Sequence, residues 1–324
     1  MSGREAGQAG SLAAREAGGS GLSTASSAAA ATAGTGSAID AAVPVDPTGA
    51  AGRAIEGRPG VAGAGPADAG VGPTEQDGDG ATEPDVRSVE LPPSNAGFDY
   101  QVGDIYPPPD LVVIVAREHT KAPVQGRYNI CEIDGFETRE EDRDFWSTQH
   151  SDLILRDVLG IPIVDPEAGM LLDVSTEAKR MAVAAIVAEW IAGCAAAGFD
   201  AVAIDNLDSY TRSGGRLLAQ HAIDTMALFS AAAHAHQLAV AQRNASELVV
   251  QKAALGTDFA IAEECNRYRE CEDYRAGYGD HVLLIEYRRA DFETGCSAYP
   301  QLSIVLRDAM LSMPADATYQ YDGC

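Results

Sequence analysis

The segment FDAVAIDNLDSY, residues 199–210, decides the fold, because a short apolar run in it ends in a cluster of polar side chains. The run Ala201–Asp205 is nearly continuous in Ala, Val and Ile, which is typical of a parallel strand that is covered on both faces. A helical pattern that Ser175 or Thr176 can cap precedes it and ends at Gly198. A second helical pattern follows over about 216–236. This order predicts β/α units around a parallel sheet.

Seven other apolar runs resemble this one. The eight predicted strands are Phe98–Val102, Leu111–Val115, Tyr128–Ile133, Ala201–Asp205, Leu238–Gln242, Phe259–Glu263, Val282–Tyr287 and Leu302–Arg307. Further helices are predicted over 246–255, 270–278 and 291–299. Eight strands with helices between them predict a (β/α)8 TIM barrel in residues 93–324, with a doubly wound open sheet as the alternative. No G-x-G-x-x-G follows the first strand, which argues against the dinucleotide-binding version of that sheet.

The early half of the barrel is expected to be irregular. No clear helical pattern lies between the second and third strands. Residues 135–175 contain Pro162, Pro166 and many charges, so we expect a long connection across the top of the barrel with short elements.

The N-terminal part of the chain differs in composition from the rest. Residues 1–97 contain no Phe, Trp or Tyr, so we expect 1–92 to be a disordered, Ala/Gly-rich tail. The whole chain carries 48 acidic and 23 basic side chains, a net charge of −25. Such a chain repels phosphate, and nucleic acid is not an expected partner. The stretch Met181–Phe199 contains Glu189 and follows two basic residues, so we expect no membrane span. We also expect the protein to be a monomer.

The six cysteines bear on the cellular location. They form an even set without a C-x-x-C pair, which is more typical of disulfides than of a zinc ribbon. Cys265 is close enough to bond Cys271, and Cys296 could bond Cys324, which leaves Cys131 for Cys194. These bonds would indicate an extracellular or cell-envelope protein, although the N-terminus shows no Sec signal peptide. Unpaired thiols in a cytosolic protein are the alternative.

Acidic side chains stand at the carboxyl ends of four predicted strands, where barrel enzymes carry their reactive groups. The fourth strand ends in Asp205, the sixth in Glu263 and Glu264, and the seventh in Glu286; Asp308 follows the eighth. Glycosidic cleavage needs two such carboxyl groups, one as an acid and one as a nucleophile or base. The strand ends therefore predict a glycosidase.

Other candidate sites carry less weight. His234 and His236 fall at a helix end and are predicted to lie on the surface. Asp205 and Asp208 could ligate Mg²⁺. Asn244-Ala-Ser246 has the letters of a glycosylation sequon but is expected to continue a strand-end motif. No G-x-S-x-G is present for a serine hydrolase.

Six segments also form a specific set. They are FDYQVGDIYPPP (98–109), RYNICEIDGFET (127–138), FDAVAIDNLDSYTRSGG (199–215), LAVAQRNASEL (238–248), FAIAEECNRYREC (259–271) and VLLIEY (282–287). With their D-N-x-D-S-Y and E-x-C-x-x-Y-x-x-C blocks, they resemble glycoside hydrolase family 114, which comprises endo-α-1,4-polygalactosaminidase-like TIM-barrel enzymes.

The resemblance implies retaining hydrolysis of α-1,4-linked galactosamine polymers, without a metal or an organic cofactor. The family's two catalytic carboxylates fall on Asp205, implied as the nucleophile, and on Glu263, implied as the general acid/base. Strand alternation raises one objection. Glu264 shares its phase with the small residues Ala260 and Ala262, which could mark the barrel interior, so Glu264 is the reserve candidate.

The implied partner is a cationic or partly N-acetylated polysaccharide, because de-N-acetylated galactosamine carries ammonium groups that an acidic rim would attract. The expected substrate-binding residues are Tyr100, Gln101, Asp104, Asn206, Asp208, Tyr210, Arg243, Asn244, Glu264, Glu286 and Tyr287. A hydrolase of another α-linked glycan and a non-catalytic module that binds cationic polysaccharide are the alternatives.

The chain departs from the family pattern in two places. Arg243 stands where Lys is common, which keeps the charge but changes its geometry. Glu132 and Asp134 stand where less acidic residues are expected; both either contact a cationic sugar or are merely exposed.

Overall fold

Eight parallel strands follow one another around the sheet in sequence order, and the eighth returns to the side of the first. The computed structural model describes residues 89–165 and 169–324. The strands are β1 (Gly97–Gln101), β2 (Val112–Glu118), β3 (Tyr128–Asp134), β4 (Ala201–Asp205), β5 (Ala239–Arg243), β6 (Phe259–Glu263), β7 (Val282–Glu286) and β8 (Ser303–Arg307). All eight were predicted. The fold is the predicted (β/α)8 barrel and not the open sheet.

A ninth strand, β9 (Tyr321–Gly323), pairs antiparallel with β8. It was not predicted, because three residues are too few to show alternation. Cys324, the residue after β9, is bonded to Cys296 in a disulfide. Tertiary contacts therefore define this strand more than its own sequence does.

The helices cover the outside of the barrel unevenly. They are α1 (Arg143–Gln149), α2 (Glu177–Ala197), α3 (Ser209–Arg212), α4 (Ala219–Ala235), α5 (Lys252–Leu255), α6 (Cys265–Tyr268), α7 (Cys271–Tyr278) and α8 (Arg289–Ala298), with 3₁₀ helices at Ser151–Leu153 and Ser246–Gln251. Residues 102–111 and 119–127, all described, connect β1 to β2 and β2 to β3 without a helix. The predicted helix over 246–255 is a 3₁₀ helix followed by α5, because the β-branched Val249 and Val250 weaken a regular α-helix.

Helix α2 begins and ends as predicted. Thr176 caps its N-terminus, and Gly198 ends it with a φ of 94°, a left-handed conformation that suits glycine. By length and composition this helix could cross a membrane. Glu189 alone is therefore not enough to rule out a membrane span in this segment. In the structure it buries Val183, Val187 and Ile191 in the same apolar cluster as side chains of β3 and β4. These contacts are those of an outer-layer helix of the barrel.

All six cysteines are paired as predicted. The bonds join Cys131 to Cys194, Cys265 to Cys271 and Cys296 to Cys324. The alternative of unpaired thiols is excluded, since no cysteine of the chain is free. Disulfides persist in oxidising compartments, which supports an extracellular or cell-envelope location.

Strand alternation decides which side chains fill the barrel interior. Ala201 and Ala203 of β4 pack there with Phe259 and Ile261 of β6. The small residues leave volume for the large ones nearby. The alanines at 260 and 262 lie instead in a cluster with side chains of α7 and α8. The idea that small residues mark the interior is therefore wrong for β6, and alternation directs Glu263 inward.

Residues 89–92 contact the amino-terminal end of the barrel. The Tyr128 hydroxyl donates to the Glu90 carbonyl over 2.7 Å, and His281 Nδ1 lies 3.1 Å from the Pro92 carbonyl. The predicted disordered tail falls mainly on residues 1–88, which lie outside the described residues. Its last four positions pack against the barrel.

Candidate active site

One buried arginine connects three carboxylates at the carboxyl ends of the strands. Arg243, at the end of β5, is 5% exposed. Its Nε lies 2.6 Å from Glu132 Oε1, and its Nη2 lies 3.3 Å from Asp205 Oδ2 and 3.1 Å from Glu263 Oε2. Asp205, Arg243 and Glu263 end β4, β5 and β6, and Glu132 lies near the end of β3. Alternation and parallel register bring these residues together.

The shared arginine limits the distance between Asp205 and Glu263. One Nη2 atom contacts an oxygen of each carboxylate, at 3.3 and 3.1 Å. These two oxygens therefore lie near each other, since one guanidinium nitrogen is within bonding reach of both.

Glu263 is held in its ionised form. Burial raises its pKa, but Arg243 and the hydrogen bonds from Tyr287 and Asn244 outweigh that effect, so the pKa lies below its usual value. Asn244 Nδ2 donates to Oε2 over 3.0 Å, and the Tyr287 hydroxyl donates to Oε1. Asp205 has fewer partners: besides Arg243, the backbone N–H of Asn206 donates to its Oδ1 over 2.7 Å.

Two further carboxyl groups of β3 border this pair. Glu132 is 1% exposed, and burial raises its pKa to about 8 even though Arg243 is adjacent. Asp134 is the register partner of Asp205 on the neighbouring strand. Burial and the Asp205 charge raise the pKa of Asp134 to about 7. Both groups therefore take up protons at a higher pH than Glu263 does.

A cleft of about 780 Å³ opens above these groups. It is lined by eight acidic side chains and two arginines; the acids are Glu132, Asp134, Glu140, Glu141, Asp165, Asp205, Asp208 and Glu263. Arg212 pairs with Glu137 at 2.5 Å and with Asp208 at 2.9 Å, and Arg139 lies 3.3 Å from Asp134. The excess of carboxylates gives the cleft a negative potential that concentrates cations.

A second cleft of about 540 Å³ adjoins the first, and both are lined by Val102, Arg139 and Glu141. Residues from the ends of β1, β2 and β8 form its other walls. Asp104, a predicted substrate-binding residue, lies in this second cleft.

The structure brings most of the sequence-predicted residues to the main cleft. Asp205, Asn206, Asp208, Asn244 and Glu263 line it. Three more predicted residues contact side chains that line the cleft. Tyr100 bonds Glu132, Arg243 pairs with Asp205, and Tyr287 bonds Glu263.

Four predicted residues lie elsewhere. Gln101 is buried on the outer face of β1, where it bonds Asp99 and Arg117. Glu286 is likewise buried and accepts from Asn266. Glu264 pairs with Arg267 at 2.6 Å, and the Tyr210 hydroxyl donates to Glu247. A one-residue step along a strand moves a side chain to the opposite face, which explains the first two.

Sequence reasoning left Glu132 and Asp134 as either sugar contacts or exposed acids, and it did not assign Arg139 or Arg212 to the site. The signal for the first two was available, since alternation from Tyr128 directs both into the barrel. Glu132 is buried and is not an exposed acid. The two arginines fall in the connection after β3 and in the short α3, where no periodic pattern locates a side chain.

The weaker candidate sites are accounted for by local contacts. His234 Nε2 lies 2.8 Å from Asp258 Oδ2, on the surface as predicted. Asp205 and Asp208 each face an arginine, which disfavours a cation between them. The Asn244 amide bonds Glu263 through both its oxygen and its nitrogen, so it continues the strand-end motif.

Comparison with known proteins agrees with this geometry. The sequence model of the glycoside-hydrolase family GH114 matches residues 80–324. The fold is similar to that of Ega3 from Aspergillus fumigatus, whose structure is a complex with galactosamine: identity is 18%, the TM-score is 0.59, and the match covers 73% of this chain and 98% of Ega3.

A variant of the glycoside hydrolase domain of PelA from Pseudomonas aeruginosa is also similar, with 12% identity, a TM-score of 0.50, and coverage of 67% of this chain and 96% of that domain. Comparison with curated proteins gave no match. The family match covers the whole barrel and its acid pair, and the chain therefore belongs to glycoside hydrolase family GH114 and is a glycosidase.

Proposed function

We propose that the protein cleaves internal α-1,4 linkages of galactosamine-containing polysaccharide with retention of anomeric configuration. The observation that carries the proposal is the contact of one Arg243 nitrogen with both Asp205 and Glu263 at the floor of an acidic cleft. The resulting close spacing favours a retaining double displacement.

In the first step, the Asp205 carboxylate attacks the anomeric carbon while the carboxylic acid form of Glu263 gives its proton to the leaving glycosidic oxygen. A glycosyl ester on Asp205 results. In the second step, the Glu263 carboxylate takes a proton from water, whose oxygen attacks the anomeric carbon and releases Asp205. Glu263 thereby returns to its acid form.

The substrate class follows from charge. De-N-acetylated galactosamine carries an ammonium group near neutral pH, and a cleft lined by eight acidic side chains and two arginines attracts it. The galactosamine bound in the Ega3 structure supports this choice of sugar. The three disulfides support action outside the cytoplasm.

The low pKa of Glu263 predicts an acidic pH optimum. Because kcat/KM reports ionisations of the free enzyme, we expect it to fall about tenfold per pH unit between roughly pH 5 and pH 7, as the protonated fraction of Glu263 declines. Initial rates at low substrate concentration over this range test the prediction. The Glu264→Gln variant should show the same slope, and a flat profile up to pH 7 would contradict the role given to Glu263.

The proposal is tested with the full chain on de-N-acetylated α-1,4-galactosamine polymer, with the fully N-acetylated polymer as the matched uncharged substrate. We expect oligosaccharides to appear from the first turnovers, and proton NMR to show the α-anomer before mutarotation. The acetylated polymer should react more slowly, and added salt should reduce the difference in rate between the two polymers.

Release of the β-anomer first would refute retention. Equal rates on both polymers would refute selection by charge and favour another α-linked glycan. Binding of the charged polymer without any release of reducing ends would favour a binding module.

A further inference from the structure

We propose that Glu132 is a positioning residue for this hydrolysis, which fixes the guanidinium of Arg243 in the orientation that reaches both Asp205 and Glu263. The inference rests on the proposed function, since it concerns the same acid pair. Glu132 is not given a part in bond making or breaking, and it acts through Arg243.

The first argument is the way Arg243 is held. Its Nε bonds Glu132 Oε1 at 2.6 Å, while its Nη2 lies beside the two carboxylates of the pair. Nη1 is buried without a hydrogen-bond partner among the described residues. The contact with Glu132 is therefore the short bond that sets the rotation of the guanidinium plane, since the contacts of Nη2 are longer.

The second argument is the support below the arginine. The guanidinium carbon lies 5.0 Å from the centre of the Tyr100 ring, a cation–π distance. The Tyr100 hydroxyl donates to the same Glu132 Oε1 over 2.7 Å. Glu132 therefore bonds both Arg243 and the tyrosine on which Arg243 rests, so the three side chains contact one another in a closed set.

The third argument is the position of Glu132 itself. It is 1% exposed, borders the main cleft, and its Oε2 has no hydrogen-bond partner in the described part of the chain. An apolar side chain would fill this volume at lower cost if stability alone mattered. A high pKa of Glu132 is consistent with a neutral acceptor, which Gln can imitate.

The experiment compares Glu132→Gln, Glu132→Leu and Tyr100→Phe in the full chain, with Asp99→Asn as the matched control. Asp99 is also a buried carboxyl group paired with an arginine, Arg307 at 3.0 Å, but it lies outside the clefts. The readouts are kcat and KM on the galactosamine polymer, and the Arg243 Nε–H resonance in ¹⁵N-edited NMR spectra.

We expect Glu132→Leu to lower kcat by about 30-fold or more with KM changed less than about threefold, because small misplacements of reactive groups cost rates of this order. The Arg243 Nε–H resonance should shift and lose its protection from exchange. Glu132→Gln keeps the acceptor oxygen, so kcat should stay within about threefold and the resonance should persist. Tyr100→Phe should give a smaller change in both readouts, and it serves as the test if Glu132→Leu does not fold.

The inference would be overturned if Glu132→Leu kept the wild-type kcat and an unchanged Arg243 Nε–H resonance. The same result in Tyr100→Phe would overturn it if Glu132→Leu does not fold. An equal loss of kcat in Glu132→Gln and Glu132→Leu would also overturn it, since charge and not acceptor geometry would then matter. If the wild type does not hydrolyse the polymer, the proposed function fails. The Nε–H resonance then decides by itself whether Glu132 holds Arg243.

Discussion

Replacing Glu263 by Gln is expected to lower kcat on galactosamine polymer by about 10³-fold or more, and Asp205→Asn by a similar factor. The amide of Glu263→Gln keeps the shape of the side chain but has no proton to give to the leaving oxygen. The amide of Asp205→Asn is too weak a nucleophile to form the glycosyl ester. Reducing-end release at saturating polymer measures both effects, and KM should change little.

The neighbouring carboxylate provides the matched control. Glu264 lies next in the chain, pairs with Arg267 and does not line the main cleft. Glu264→Gln should therefore retain a kcat within about threefold of the wild type, a range typical of surface changes away from the chemistry. A large loss in Glu264→Gln, with activity kept in Glu263→Gln, would reverse the choice between the two residues.

The largest expected effect on stability comes from Arg243→Leu. This change leaves Glu132, Asp205 and Glu263 around a buried site without their cation, and breaking a buried ion pair on one side costs about 3–5 kcal/mol. The midpoint temperature should fall by about 10 °C at pH 8.

The loss in Arg243→Leu should depend on pH. Without the arginine, burial raises the pKa values of Glu132 and Glu263 in the folded state above those of the unfolded chain. The folded state then binds protons more tightly, so its stability is retained in acid and lost as the pH rises through the raised values. Urea unfolding at pH 5 and pH 8 measures the difference.

Arg267→Leu is the control for this experiment, because Arg267 is exposed and pairs with a single carboxylate. It should leave the free energy of unfolding nearly unchanged at either pH. An equal destabilisation of Arg243→Leu at both pH values would show that neutralisation of the acids is not what the arginine provides.

The barrel was predictable from sequence because most of its eight strands are runs of apolar residues bounded by turns or helical patterns, while β1 alternates apolar and polar residues. β9 was not, since its three residues are ordered by pairing with β8 and by the disulfide of Cys324. The break between the 3₁₀ helix and α5 was also missed, although Val249 and Val250 lower the helix propensity of that segment.

That Asp205 and Glu263 lie close together was predictable because parallel strands place their last residues at one end of the barrel. The faces of individual residues were harder to predict. Gln101 and Glu286 differ by one position from Tyr100 and Tyr287, which reach the centre, and that single step moves their side chains to the outer face. Which face of β6 points into the barrel depends on the space that the side chains of neighbouring strands leave in the interior. The sequence of β6 alone does not show that space.

The missing helices between the first three strands affect how a long chain can reach the acid pair. The two clefts meet at Val102, Arg139 and Glu141, on the side of the rim where only short connections follow β1 and β2. The second cleft therefore adjoins the cleft of the acid pair on this side. We expect a polymer to enter sideways across both clefts and not by threading from an end, so that branches or modified termini do not have to pass the two carboxylates before a bond in mid-chain reaches them.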